Sequence, residues 1–172
     1  MGATRVRAVA VYIPHGGYDV ACLYDTCDVL REALLEGRRK GCRLVVGGDF
    51  NTQLSIGSRG DLLEEICECF GLAVANDGNN AEEWTFQSSL GVRRRPDYIL
   101  LDRCLLIRAA SPFNYFDMGS DHRAVRAHIC GSSRKKFPRG GNRIRNPKGW
   151  RPRLGHRHQP AEFPSNSKPH SR

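Results

Sequence analysis

The apolar run Leu44-Val45-Val46, closing on Gly47-Gly48-Asp49-Phe50-Asn51, most constrains what this chain can fold into. A run that short, bounded by glycine, reads as a buried strand. Residues 5–13 read as a strand before it, with Val9, Val11 and Ile13 alternating until Pro14 and the Gly16-Gly17 turn. Between the two, Leu23, Cys27, Leu30 and Leu34 recur at helical spacing, with Asp19 as N-cap and Gly37 or Gly41 as the stop. A second helix carries Leu62, Ile66 and Phe70, capped by Ser58 or Asp61, with Glu64 and Glu65 near its positive end. Further strands are predicted at 72–74, 84–86, 96–101, 105–108 and 122–129, with Pro96 confined to a strand start because it has no amide donor. The order βαβαβ followed by β-rich sequence predicts a mixed α/β layered domain.

Charge separates this body from an appendage. Residues 131–172 hold 12 Lys/Arg against the single acid Glu162, net +11, whereas residues 1–130 have a net charge of −2. The whole-chain charge of +9 therefore belongs to the tail. The tail also has six of the nine prolines and few aliphatic residues, so it cannot bury enough surface to offset ordering entropy. The expected organisation is a folded domain at 1–130 and a disordered basic tail at 131–172. Such an arm attracts polyanions through counterion release without reading sequence; the blander reading is a solubilising or out-of-frame extension. Phe137 and Trp150 are tail aromatics able to stack on bases.

The seven cysteines fall mostly at apolar positions and read as small core residues, with no CxxC pair at zinc-finger spacing. No apolar stretch reaches the length of a membrane span, and the N-terminus has no secretory h-region. Free thiols without an export signal predict an intracellular location, with the nucleus as one option. No obligate protein partner is inferred.

Two clusters at strand ends carry the chemistry: Gly48-Asp49-Phe50-Asn51 and Gly119-Ser120-Asp121-His122. Phosphodiester cleavage needs an activated water, charge neutralisation on phosphate oxygens and a stabilised leaving group. Asp49 can orient or deprotonate water, and Asn51 can donate its amide to a phosphate oxygen. Asp121 can bind Mg²⁺, which prefers one or two carboxylates. His122 can hydrogen-bond the phosphate or exchange a proton with it, and it needs a carboxylate to fix its second ring nitrogen. Asp97 is the candidate for that role, and Asp102, from the other end of the same strand, is the competitor. Taken alone, Asp-Phe-Asn is an ordinary Asx turn and Ser-Asp-His an ordinary loop. Their joint occurrence at strand ends favours a shared site.

The series Tyr12-Ile-Pro14, Gly48-Asp-Phe-Asn51, Trp84-Thr85, Arg95-Pro-Asp-Tyr-Ile99 and Ser120-Asp-His122 resembles the second half of the endonuclease/exonuclease/phosphatase superfamily, over residues 5–130. Its flavour is similar to the apurinic-site-type endonuclease domain of LINE-type retrotransposons. The resemblance implies a four-layered α/β sandwich of the DNase-I-like type and Mg²⁺-dependent hydrolysis, with Mn²⁺ as a substitute ion. It further implies that Asp49 aligns water and contacts metal, Asn51 and His122 contact phosphate, Asp97 orients His122, and Asp121 is associated with metal. Tyr12 matches a tyrosine that approaches the scissile phosphate. Pro96 stands where the family has an aliphatic residue.

The family's first half, with an early Asn and its principal metal-binding Glu, has no counterpart here; no Asp or Glu precedes Asp19. The expectation is an N-terminally incomplete domain. Three functions remain open: a nucleic-acid endonuclease with DNA favoured, an inactive nuclease-derived remnant that binds nucleic acid through its basic tail, and a phosphatase of inositol phosphates or phospholipids. Arg93-Arg94-Arg95 fits a polyanionic substrate, and a solvated loop equally well. A sandwich lacking much of one sheet exposes apolar surface, so the 172-residue chain is expected to aggregate or behave as a molten species. A sharp cooperative thermal transition in a monomeric preparation is the contrary result.

Overall fold

The computed structural model describes residues 4–54, 56–76, 83–112 and 119–130. The tail at 131–172, with Phe137 and Trp150, lies outside the described residues. The elements run β1 (Val6–Tyr12), α1 (Val20–Arg39), β2 (Arg43–Asp49), α2 (Gly57–Phe70), β3 (Leu72–Val74), β4 (Phe86–Gln87), β5 (Arg93–Arg94), β6 (Asp97–Asp102), β7 (Leu106–Pro112) and β8 (Val125–Cys130). The main sheet has the order β1-β2-β6-β3, with two small sheets β4-β5 and β7-β8. β1 and β2 are parallel, which requires the crossover that α1 supplies, and β6 is antiparallel to β2 and β3.

Both helices pack on one face of this sheet. Leu23, Cys27, Leu30 and Leu34 of α1 and Leu63, Ile66, Cys67 and Phe70 of α2 meet Leu44, Val46, Tyr98 and Leu100 in one core. Leu34, Leu44 and Leu100 are wholly buried, each contributing about 1.5–3 kcal/mol relative to exposure. Burial pushes the thiols of Cys27 and Cys67 up to about 11, so they stay protonated and act as packing groups. On the opposite face Leu101 is also fully buried, and β8 packs against β6. Along β1 the same alternation leaves Val6, Ala8, Ala10 and Tyr12 exposed. The chain is thus an α/β layered domain.

Several local expectations need correction. Asp19 caps α1 as expected, accepting from the Ala21 amide at 2.9 Å. The helix runs through Gly37, because the missing side chain lets α1 press against the sheet, where a Cβ would lie 2.7 Å from Leu44 Cδ2; it stops at Arg39, just ahead of the other expected stop, Gly41, at φ +66. Neither Ser58 nor Asp61 caps α2; Ile56 holds that position without a side-chain bond. The strand expected at 84–86 starts only at Phe86, and His122 precedes β8 in an isolated bridge to Phe86. β5 had no periodic signal, being two arginines long. Gly48 has φ +154, and a Cβ there would sit 1.8 Å from the Val11 carbonyl oxygen, so the close β1–β2 contact at this point admits only glycine.

The rim where β6 ends is braced by a buried ion pair. Arg38 Nη1 and Nη2 donate to Asp102 Oδ2 and Oδ1 at 2.7 and 2.6 Å, and Nη2 also donates to the Phe70 carbonyl. Asp102, completely buried, accepts in addition from the Leu44 amide at 2.8 Å. The ends of α1, β2 and β6 are joined through one carboxylate, and the Arg38 guanidinium ties in the end of α2. Asp102→Ala leaves the Arg38 charge and the Leu44 amide without that partner, and the expected cost is about 3–5 kcal/mol in urea unfolding. A loss of under about 1 kcal/mol would place this pair with ordinary surface bridges.

Candidate active site at the carboxylate rim

Strand register builds the opposite rim. In the parallel β1–β2 pair Tyr12 is level with Asp49, and in the antiparallel β2–β6 pair Asp49 stands opposite Asp97. Because side chains alternate along a strand, these three residues form one row on the face turned away from the helices. Tyr98, the neighbour of Asp97, points the other way into the core.

His122 joins the row from the segment before β8. Its Nδ1 lies 3.0 Å from Asp97 Oδ2, its amide donates to Ser120 Oγ at 3.1 Å, and its ring packs 5.0 Å from that of Phe86. Asp97 rather than Asp102 is therefore the carboxylate beside the histidine. Ligand atoms of Asp49, Asp97 and His122 all lie within 4.8 Å of one another. Two carboxylates and an imidazole suit a divalent cation with oxygen and nitrogen ligands. Asp121 is outside this group; its side chain is exposed, and its carbonyl accepts from the Gln87 amide at 2.9 Å. Tyr12 is 57% exposed at the end of the row.

Asn51 is one of the residues that hold the row. Its backbone is left-handed, φ 47, a conformation asparagine tolerates better than most residues. Its amide N–H donates to Asp49 Oδ1 at 2.8 Å, while Nδ2 donates to Asp49 Oδ2 at 3.1 Å and to the Ile13 carbonyl at 2.9 Å. The Asx turn and the site residue are thus the same object, and the side-chain donor expected for phosphate is directed at Asp49 and the end of β1. Burial pushes the Asp49 carboxyl above its ordinary range; Asp97 adds to the rise, and the Asn51 bonds and His122 oppose it.

Sequence reasoning missed Asn76. Its Nδ2 donates to the Asp97 carbonyl at 2.9 Å, and its Oδ1 accepts from the Ile99 amide at 3.0 Å. Thr85 Oγ1 accepts from the Asp97 amide at 3.3 Å. Both side chains are buried, so the Asp97 backbone is gripped at its N–H and its C=O. The available signal was an asparagine just past the four-residue apolar run 72–75, which looks like any turn.

No family profile matches the sequence, and no curated protein matches it. Solved structures do. A 3′-5′ exonuclease from Neisseria meningitidis matches at TM-score 0.63 and 16% identity, over 72% of this chain and 61% of its own. The endonuclease domain of TRAS1, a telomere-specific non-LTR retrotransposon, matches at 0.50 and 24%, over 59% of this chain and 51% of its own. A mannosyl-6-phosphatase from Bacteroides thetaiotaomicron matches at 0.53 and 16%, over 71% and 50%. The chain therefore spans about half to three-fifths of the length of these structures. At this identity the likeness shows the fold alone, an α/β fold shared with this exonuclease, this endonuclease domain and this phosphatase.

A cation can take Asp49 as a ligand only when its carboxyl is ionised. Since the carboxyl is raised, it keeps its proton to a higher pH than an ordinary aspartate, and affinity is complete only above that raised value. Calorimetric titration with Mn²⁺ should show affinity falling on acidification while still above about pH 4, the ordinary aspartate range. Asp49→Ala should lower affinity by at least about tenfold. Affinity constant down to about pH 4 would contradict this account.

Proposed function

We propose that this chain is a divalent-cation-dependent phosphodiesterase acting on nucleic acid, with Mg²⁺ as the working ion and DNA as the favoured substrate. The observation that carries this reading is the Asp49–Asp97–His122 group, within 4.8 Å at one rim. The fold it sits in also carries an exonuclease and a retrotransposon endonuclease domain. Asp49 and Asp97 would hold the ion, which when bound supplies a Lewis acid that neutralises charge on the phosphate oxygens.

The chain's own groups divide the remaining tasks. Asp49 orients the attacking water and accepts its proton, and Asn51 keeps its carboxylate in place. Asp97 accepts from His122 Nδ1–H, which fixes the ring and aims Nε2 outward. In its protonated form His122 donates Nε2–H to a non-bridging phosphate oxygen, where negative charge grows in the transition state. Asn76 and Thr85 hold the backbone from which the Asp97 carboxylate projects. Tyr12, exposed at the end of the same row, offers its hydroxyl to the phosphate.

Nicking of supercoiled plasmid DNA and hydrolysis of bis(p-nitrophenyl) phosphate, each with Mg²⁺, test the reading. EDTA should abolish both, and His122→Ala or Asp97→Ala should lower kcat by about 10²–10⁴-fold. Binding of DNA without any Mg²⁺-dependent hydrolysis would make the chain a nuclease-derived binder instead. Hydrolysis that survives His122→Ala would move the chemistry elsewhere.

A further inference from the structure

Beside the carboxylate rim three short segments lie edge to edge. β5 pairs with β4, and β4 continues to His122 through the Phe86–His122 bridge. The Gln87 amide donates to the Asp121 carbonyl at 2.9 Å and the Arg123 amide to the Thr85 carbonyl at 2.7 Å, so the backbone on both sides of His122 is fixed. Arg123 thus follows the histidine at a set position. Its guanidinium carbon lies 3.2 Å from the centre of the Trp84 ring, and that of Arg93 lies 4.8 Å from the same ring.

One indole thus gathers two guanidinium groups. Cation–π attraction offsets their mutual repulsion and orients them, since a guanidinium stacks by its flat face and bonds anions through the N–H groups in its plane. Arg93 also donates to Gln87 Oε1 at 3.4 Å, and Arg95, next in the run, pairs with Glu83 at 3.3 Å. Arg93 and Arg94 are exposed. This concentration of cations stands out in a body whose net charge over residues 1–130 is −2. One of these cations, Arg123, directly follows His122.

We propose that Arg93, Trp84 and Arg123 form a second phosphate subsite, which holds the backbone of a nucleic-acid strand next to the phosphodiester at His122. The inference rests on the phosphodiesterase reading and adds the residues that distinguish a polymer from a single phosphate. Arg123 directly follows His122, so its guanidinium and the imidazole can take different phosphate groups of one polymer. A strand carries charges about every 3.4 Å along its axis and can occupy both positions. A sugar monophosphate has nothing to place in the second.

The test uses the full chain in EDTA, a fluorescein-labelled single-stranded oligonucleotide, and anisotropy over a series of KCl concentrations. Arg93→Gln and Arg123→Gln should each weaken binding and reduce the slope of log K against log salt by about 0.7, the value for one phosphate contact on a single strand. Arg123→Lys, which keeps the charge, should retain the wild-type slope. Tail cations are common to all variants, so a slope difference belongs to the stack. Arg93 is exposed, and its substitution does not put folding at stake. Wild-type slopes in both Gln variants, or no binding by the wild type, overturn the subsite. Hydrolysis of bis(p-nitrophenyl) phosphate, a single phosphate, reports on the catalytic reading separately. Hydrolysis with unchanged slopes rejects the subsite alone, and changed slopes without hydrolysis reject the phosphodiesterase alone.

Discussion

Asp49 and Asp97 face each other across two hydrogen-bonded strands, and much of the molecule can be understood as support for that arrangement. Like charges at directly opposed strand positions destabilise a sheet. Asn51 bonds both oxygens of Asp49, His122 bonds Asp97, and Asn76 and Thr85 hold the Asp97 backbone. None of these contacts removes the charge. They fix two carboxylates close together in a partly buried place, which is the condition under which a divalent cation gains most from binding.

That opposition depends on register, and register depends on a few backbone details. A slip of one residue in β2 would turn Asp49 toward the helices and Val46 toward the open face. The contact between Gly48 and the Val11 carbonyl resists a slip that would bring Asp49 to that place, because any Cβ there would clash. The buried series Leu44, Val46 and Leu100 adds its own preference for one face. The chemistry at the rim is therefore tied to the packing beneath it.

Much of this was legible in the sequence where a residue's type and its period agree. The α1 stripe of Leu23, Cys27, Leu30 and Leu34 and the apolar strand before Asp49 are examples, and both lie where they were expected. Asp97 could be paired with His122 because both open or precede strands. Features set by a single contact were not legible. Gly37 looks like a helix stop until Leu44 and Arg7 are seen against it, and Asn76 looks like a turn residue until Asp97 is placed beside it. The two-residue β5 has no period at all. Trp84 was readable only as part of a motif, and its stacked arginines come from segments 9 and 39 residues away in sequence.

The two rims of the sheet do different work, and the Asp102 brace makes the division concrete. It gathers the ends of α1, α2, β2 and β6 at the far side from Asp49 and His122. Stability is thereby anchored about a strand's length from the Asp49–Asp97–His122 group. Substitutions among Arg93, Trp84, Arg123 and Tyr12 can then reshape the rim proposed to take phosphate while the anchor stays untouched, so that rim is also the one freer to diversify.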